Sequence, residues 1–525
     1  MLSRLSRISK QSPSRRCPTA QPEEAMPSSF PLYLTAAMLA APALTAPASA
    51  PAAPDSGLSW APCRSVHQEW EKEDDRSECT TVTVPLDHAA PAGRTIGIAI
   101  SRIRATEPQR RRGVLLMNPG GPGNQGIGMP WSLTQTTLKN VGRDHDLIGF
   151  DPRGVGLSGG FECPKDASDG VVPAPGASAE QRFRAEYQTE AHANARCTGY
   201  DRELISRLNT RAVADDMDDI RVALGEKKIS FFGISWGTAL GAVYRSHYDR
   251  NVDRMLLDSV MPPEFSVETM ERGTSAAKQA GYEDFAAWAA DRDGTYHLGR
   301  TSREVRDAAL SLWRRLGEHP VTVKGPDGKT REYSDGSLSV ILSYQRPHWD
   351  EVARSVAALR DGGVPPLTGE EPEHESWGLQ PDSSGGLFMQ RSVLCNDQGA
   401  APDADAAWRL KRYRAEKYPM FANGAGYSNW CSGWPLTHGP GWDLQRGTSP
   451  LQLVGHRYET ITPLVWAEQM KRRIGGEVLT VDNGAHGSLD LVDCASKGVD
   501  FLSTGRTSGG SCPGEPSKSL PGRPG

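Results

Sequence analysis

The 525-residue chain has no long run of basic residues, and its 59 Lys and Arg are nearly matched by 64 Asp and Glu. A formal net charge of −5 leaves no electrostatic footprint for a nucleic-acid backbone. After residue 50 there is no run of about 18 or more apolar residues, so no stable membrane insertion is expected. None of the 9 cysteines falls in paired CxxC spacing, which disfavours a structural zinc site. No internal repeat is evident. The 39 prolines and 55 glycines imply many ordered turns.

The N-terminus is what remains of long apolar character. Arg4, Arg7, Lys10, Arg15 and Arg16 precede "FPLYLTAAMLAAPALTAPASA", which closes on small residues. This reads as an export signal over residues 1–50, with cleavage near Ala50 to Pro54, and it implies a secreted protein. A start at Met26 competes with this reading but would drop the basic residues. Setting Cys17 aside leaves eight cysteines: Cys63, Cys79, Cys163, Cys197, Cys395, Cys431, Cys494 and Cys512. An even number in an exported chain points to disulfides. Pairing of neighbours is the simplest arrangement, although on the order of 100 connectivities are open.

Along the chain, "TTVTVPLDH" and "IGIAISRIRA" read as antiparallel strands. "GVLLMN", "HDLIGF", "KISFFGI", "VDRMLLD", "LQLVGH" and "GEVLTVD" read as buried strands separated by helices. The helical spacing of Val213, Met217, Ile220 and Leu224, with Gly225 as a stop, marks one such helix. Apolar strands alternating with helices predict an α/β fold with a mostly parallel sheet covered on both faces. Residues 55–260 and 387–495 form two parts of this core. Residues 261–386, rich in amphipathic stretches such as "REVRDAALSLWRRLG", form a mainly helical cap inserted between two strands. Residues 496–525, rich in Gly, Ser and Pro, are expected to be a flexible tail tethered through Cys512.

"GISWG" follows an apolar strand and precedes the small-residue helix "GTALGAVYRS". That strand–turn–helix setting is where a G-x-S-x-G serine becomes an exposed nucleophile. Ser235 is therefore the candidate nucleophile; the competing reading is an ordinary helix N-cap. A nucleophilic serine needs a base, and the base needs an orienting carboxylate, in chain order serine, acid, histidine. His486 in "GAHG" and Glu459 in "GHRYETITP" stand at the required places, and Asp258, ending "LLD", is the fallback acid. The oxyanion would be received by the N–H of Trp236 and by that of Gly121 in the stiff "NPGGPG" loop. The same loop matches G-x-G-x-x-G from Gly121 to Gly126, with Asp146 twenty residues on. Asp146 opens a strand instead of closing one, and Pro130 interrupts the following helix, so a dinucleotide site is disfavoured.

Taken together, "NPGGPG", "DPRGVGLS", "GISWGTALG", "RSVLCND", "WCSGWP" and "GHRYETITP" followed by "GAHG" resemble the secreted actinobacterial tripeptidyl aminopeptidases. These are relatives of proline iminopeptidase within the α/β-hydrolases, and the resemblance spans about Trp60 to Cys494. It implies Ser235 as nucleophile, His486 as base, the acid before Thr462-Pro463 as third member, and a Cys395–Cys431 bridge. It also implies release of short peptides or residues from substrate N-termini. The serine acyl-enzyme cycle itself calls for no metal or organic cofactor. The family's usual Asp-Pro is Glu459-Thr460 here, and its frequent tyrosine after the serine is Trp236, a change expected to bear on pocket shape. The substrate amine would be received by a cap carboxylate, for which Glu370, Glu371, Glu373 and Glu375 are candidates. An esterase or amidase acting on a small molecule, and an inactive hydrolase-fold binding protein, are the competing functions.

Overall fold

Val114–Asn118 and Ile229–Ile234 are buried at every position, as strands must be when helices cover both faces of a sheet. The computed structural model describes residues 57–518 apart from 68–69, 161–162, 164–169, 175, 326–327, 370–382, 438 and 440. The leader assigned to residues 1–50 lies outside the described residues, as do Glu370, Glu371, Glu373 and Glu375.

Among the described residues, twelve strands run in chain order: β1 Ala61–Pro62, β2 Glu78–Pro85, β3 Thr95–Ile103, β4 Val114–Asn118, β5 Asp146–Phe150, β6 Ile229–Ile234, β7 Val252–Asp258, β8 Val321–Lys324, β9 Thr330–Tyr333, β10 Leu451–His456, β11 Glu477–Asp482 and β12 Gly510–Pro513. Ten form one sheet in the order β1-β2-β3-β5-β4-β6-β7-β10-β11-β12. From β5 through β12 every neighbouring pair is parallel; β1, β2 and β3 are antiparallel. The crossover helices bury one stripe each. Thr210–Ala223, for instance, buries Val213, Met217 and Ile220, and Asn209 caps its N-terminus by accepting from Ala212 N–H.

Between β7 and β10 the chain leaves the sheet. The helices Val267–Ala290, Ser302–Glu318, Asp335–Ser343 and Trp349–Asp361 enclose a hydrophobic cluster of their own around Phe285, Leu312, Ile341 and Trp349. A short antiparallel hairpin, β8–β9, interrupts them; its alternation is too brief to stand out in the sequence. Met420 and Phe421 join this same cluster, so the chain makes contact with the inserted helices well beyond residue 386.

The last segment differs from a flexible tail. Ala495–Thr504 is a helix that buries Phe501 and Leu502, and β12 adds a parallel edge strand, Leu479 opposite Gly510 through Asp482 opposite Pro513. Small residues without apolar alternation concealed a strand that backbone pairing alone defines. The eight cysteines pair with their neighbours: Cys63–Cys79, Cys163–Cys197, Cys395–Cys431 and Cys494–Cys512.

Arg153 of "DPRG" is not a surface turn residue. Its guanidinium is fully buried, grips both Asp216 oxygens at 2.7 and 2.6 Å, and donates to Leu86 and Pro85 carbonyls. A fork of this kind suits Arg and not Lys. Removing it strands a buried carboxylate, so Arg153→Ala is expected to cost about 3–5 kcal/mol, read as a lower midpoint in chemical denaturation.

Candidate active site

β6 ends at Ile234, and Ser235 turns the chain directly into the helix Trp236–Tyr248. Ser235 has φ 56° and ψ −125°, a backbone that costs about 1–3 kcal/mol for a residue with a Cβ. Although it stands at the N-cap position, its side chain makes no cap hydrogen bond, so ordinary capping does not account for it. Its N–H donates to the carbonyl of Asp258 at 3.0 Å, which pins the turn to the end of β7. Close packing explains the flanking glycines. A Cβ on Gly237 would come 2.6 Å from Asn118 O, and one on Gly120 would come 2.8 Å from Ser235 Cβ and 2.5 Å from Ile234 O.

The "NPGGPG" loop is thereby laid against the serine turn. Gly120 N–H donates to Asn118 Oδ1 at 3.0 Å. Among the described residues, the N–H groups of Gly121 and Trp236 donate to no protein acceptor. The loop is braced from two sides. Asp151, fully buried, accepts from Gly126, Ile127 and Leu157 N–H; burial pushes its carboxyl up to about 7 against the pull of those three donors. On the other side Gln390 Nε2 donates to Gly121 O at 3.2 Å and lies 3.5 Å from Tyr427 Oη. Tyr427 N–H in turn donates to Glu271 of the helix Val267–Ala290, a carboxyl that burial raises to about 7.

His486 sits in the loop after β11, and its Nδ1 is 2.5 Å from Glu459 Oε1. Glu459 is buried while the His486 ring is about one-fifth exposed. The same carboxylate oxygen accepts from Thr462 N–H at 3.0 Å and from Thr462 Oγ1; the other accepts from Ser259 Oγ at 3.0 Å. A Cβ on Gly487 would stand 2.5 Å from Ile234 Cγ2. The residue after His486 therefore packs on the residue before Ser235. Among the described residues, Ser235 Oγ makes no hydrogen bond to His486, whose side-chain contacts run through Nδ1 to Glu459 and Thr462.

The fallback acid takes a different part. Asp258 faces His456, not His486: Oδ1 is 2.8 Å from His456 Nε2, and both side chains are fully buried. Its Oδ2 accepts from Leu489 N–H at 3.0 Å, and His456 Nδ1 is 2.7 Å from Asn483 Oδ1. Burial disfavours a charged His456, but the Asp258 charge and hydrogen bond, with Glu459 and Asn483 assisting, raise it to about 9. Trp236 also departs from expectation. Its side chain is fully buried in the sheet-side core and donates to Thr210 Oγ1 at 2.9 Å, so it does not shape a pocket. Thr210 is held by Asp397 of "RSVLCND", which also accepts from Trp442 Nε1.

Sequence reasoning did not single out Ser259, Thr462 or His456. His456 and Thr462 stood inside "GHRYETITP", but nothing in a linear pattern shows that the histidine ending β10 turns inward to β7.

Residues 113–330 match the model of the alpha/beta hydrolase fold, and residues 418–512 match that of TAP-like protein. The tripeptidyl aminopeptidase of Streptomyces lividans is 30% identical over 479 residues, covering 86% of this chain and 85% of the relative. The chain belongs to the tripeptidyl aminopeptidase family of α/β-hydrolases. Also similar are serine protease Hip1 of Mycobacterium tuberculosis, 27% identical over 82% of this chain and 85% of its own, and carboxylesterase B of the same organism, 28% identical over 90% and 94%. As a member of the family the chain is a hydrolase. Among its described residues no helix is long and apolar enough to cross a membrane.

The His456 charge carries a pH signature. A folded pKa near 9 against 6.5 for the free side chain means that the pair's stabilisation is complete below about pH 6.5 and is lost as pH rises towards 9. The stability difference between the wild type and His456→Gln is expected to shrink across that window, measured by urea unfolding at pH 6, 7.5 and 9.

Proposed function

We propose that the protein is an exported serine exopeptidase that releases short peptides, tripeptides among them, from substrate N-termini. The observation that carries this reading is the strained Ser235 turn packed beneath a loop whose histidine is already paired with a buried carboxylate. Ser235 Oγ attacks the scissile carbonyl and His486 Nε2 takes its proton. Glu459 holds the Nδ1–H tautomer and stabilises the imidazolium. The N–H groups of Gly121 and Trp236 receive the tetrahedral oxyanion, an interaction worth about 2.7–4 kcal/mol per donor. His486 then protonates the leaving amine, and water resolves the acyl-enzyme by the reverse sequence. A serine–histidine hydrogen bond of this kind is often long in a free enzyme and tightens only around substrate. Four disulfides support an oxidising compartment outside the cytoplasm.

The similarity to a carboxylesterase supports ester cleavage as a second reading, since an acyl-enzyme cycle does not itself choose between ester and amide. Tripeptidyl- and aminoacyl-nitroanilides, each free and N-acetylated, separate the two. The exopeptidase reading expects turnover of free-amine substrates and strong loss on acetylation; equal rates on blocked substrates contradict it. Ser235→Ala is expected to lower kcat about a million-fold and Glu459→Gln about 10⁴-fold, with the folded state retained by circular dichroism.

A further inference from the structure

We infer that Ser259 is a positioning residue that locks the Glu459 carboxylate and the His486 loop into register, and that this lock fits a glutamate to the acid position. The inference rests on the triad proposed above.

Ser259 follows β7, is fully buried, and has φ 58°. Only four non-glycine residues among those described have positive φ, and two of them, Ser235 and Ser259, stand at this site. A glycine would adopt this left-handed backbone without cost. The side chain present instead is fully employed: its hydroxyl donates to Glu459 Oε2 at 3.0 Å and accepts Gly487 N–H at 2.8 Å. Its own N–H donates to Val454 O in β10 at 3.1 Å. One residue thus joins β7 to β10, to the acid after β10, and to the histidine loop after β11.

The division of labour on Glu459 shows why this matters. Oε1 takes His486 Nδ1 together with both Thr462 donors, whereas Ser259 is the one partner of Oε2 among the described residues. Glutamate has one more rotatable bond than aspartate, so a carboxylate held at one oxygen can still pivot about that oxygen through compensating side-chain torsions. Ser259 removes that freedom. Through Gly487 N–H it also fixes the backbone on which the imidazole is mounted.

Ser259→Gly tests this cleanly, because it deletes the hydroxyl while relaxing the backbone; Ser259→Ala is the second variant, retaining Cβ. The readout is the second-order rate of labelling by a fluorophosphonate probe. We expect Ser259→Gly to label about 10- to 100-fold more slowly than the wild type, the scale on which misplacement of a reacting group by about 1 Å is felt. In a Glu459→Gln background the same substitution is expected to slow labelling by a clearly smaller factor, because only the Gly487 anchor is then left to lose. An unchanged rate in Ser259→Gly, or an equal effect in both backgrounds, overturns the proposal. Proton NMR gives a second arm that needs no turnover: the downfield His486 Nδ1–H resonance is expected to move or broaden in Ser259→Gly and in Ser259→Ala. A resonance unmoved in both variants overturns the proposal as well. Labelling that persists in Ser235→Ala would defeat the triad reading instead, with the NMR arm still judging Ser259.

Discussion

Everything at the site hangs on the carboxyl end of β7. The carbonyl of Asp258 holds Ser235 N–H, its carboxylate holds Leu489 N–H and the charged ring of His456, and the next residue, Ser259, reaches Glu459 and Gly487. Two fully buried side chains of opposite charge are costly to bring out of water unless their remaining groups are also satisfied. Here they are: His456 uses both nitrogens and Asp258 both oxygens. The pair therefore acts as a rigid peg at the point where three strands, β6, β7 and β10, deliver the serine, the hydroxyl brace and the acid.

That peg explains how strain at Ser235 is tolerated. An unfavourable backbone persists only where its surroundings over-determine it. The serine turn is fixed from below by Asp258 O, from one side by Gly120 at a distance that admits no side chain, and from the other by Gly487 against Ile234. The "NPGGPG" loop is fixed in its turn by Asp151 on the core side and by Gln390 on the side of the inserted helices. In the proposed mechanism, donors aimed beforehand need no reorganisation when charge develops, which is where most of their catalytic value lies.

Much of this was legible in the residues. The nearly unbroken apolar runs of β4 and β6 declared a sheet buried on both faces, and G-x-S-x-G between a strand and a small-residue helix located the turn. Neighbouring cysteines did pair. What escaped were features that no linear pattern encodes. His456 and Asp258 are 198 residues apart and meet only because β10 lies beside β7. Asp258 looked like a spare acid because its type and place at a strand end suit that role; the partner it faces is decided by sheet order. Trp236 looked like a pocket wall because it follows the serine, yet the helix it opens turns its ring into the core toward Thr210. β12 carries no apolar alternation, and only the register with β11 makes it a strand.

The account's central claim is that this framework presents Ser235 to His486 and to two backbone donors. The most direct measurement is a crystal structure of the protein after reaction with a peptidyl phosphonate. The account predicts a covalent bond from phosphorus to Ser235 Oγ, one phosphonyl oxygen received by Gly121 and Trp236 N–H, and His486 Nε2 within hydrogen-bond distance of the adduct. A bond to any other residue, or a phosphonyl oxygen turned away from both N–H groups with His486 Nε2 out of hydrogen-bond reach, would contradict it.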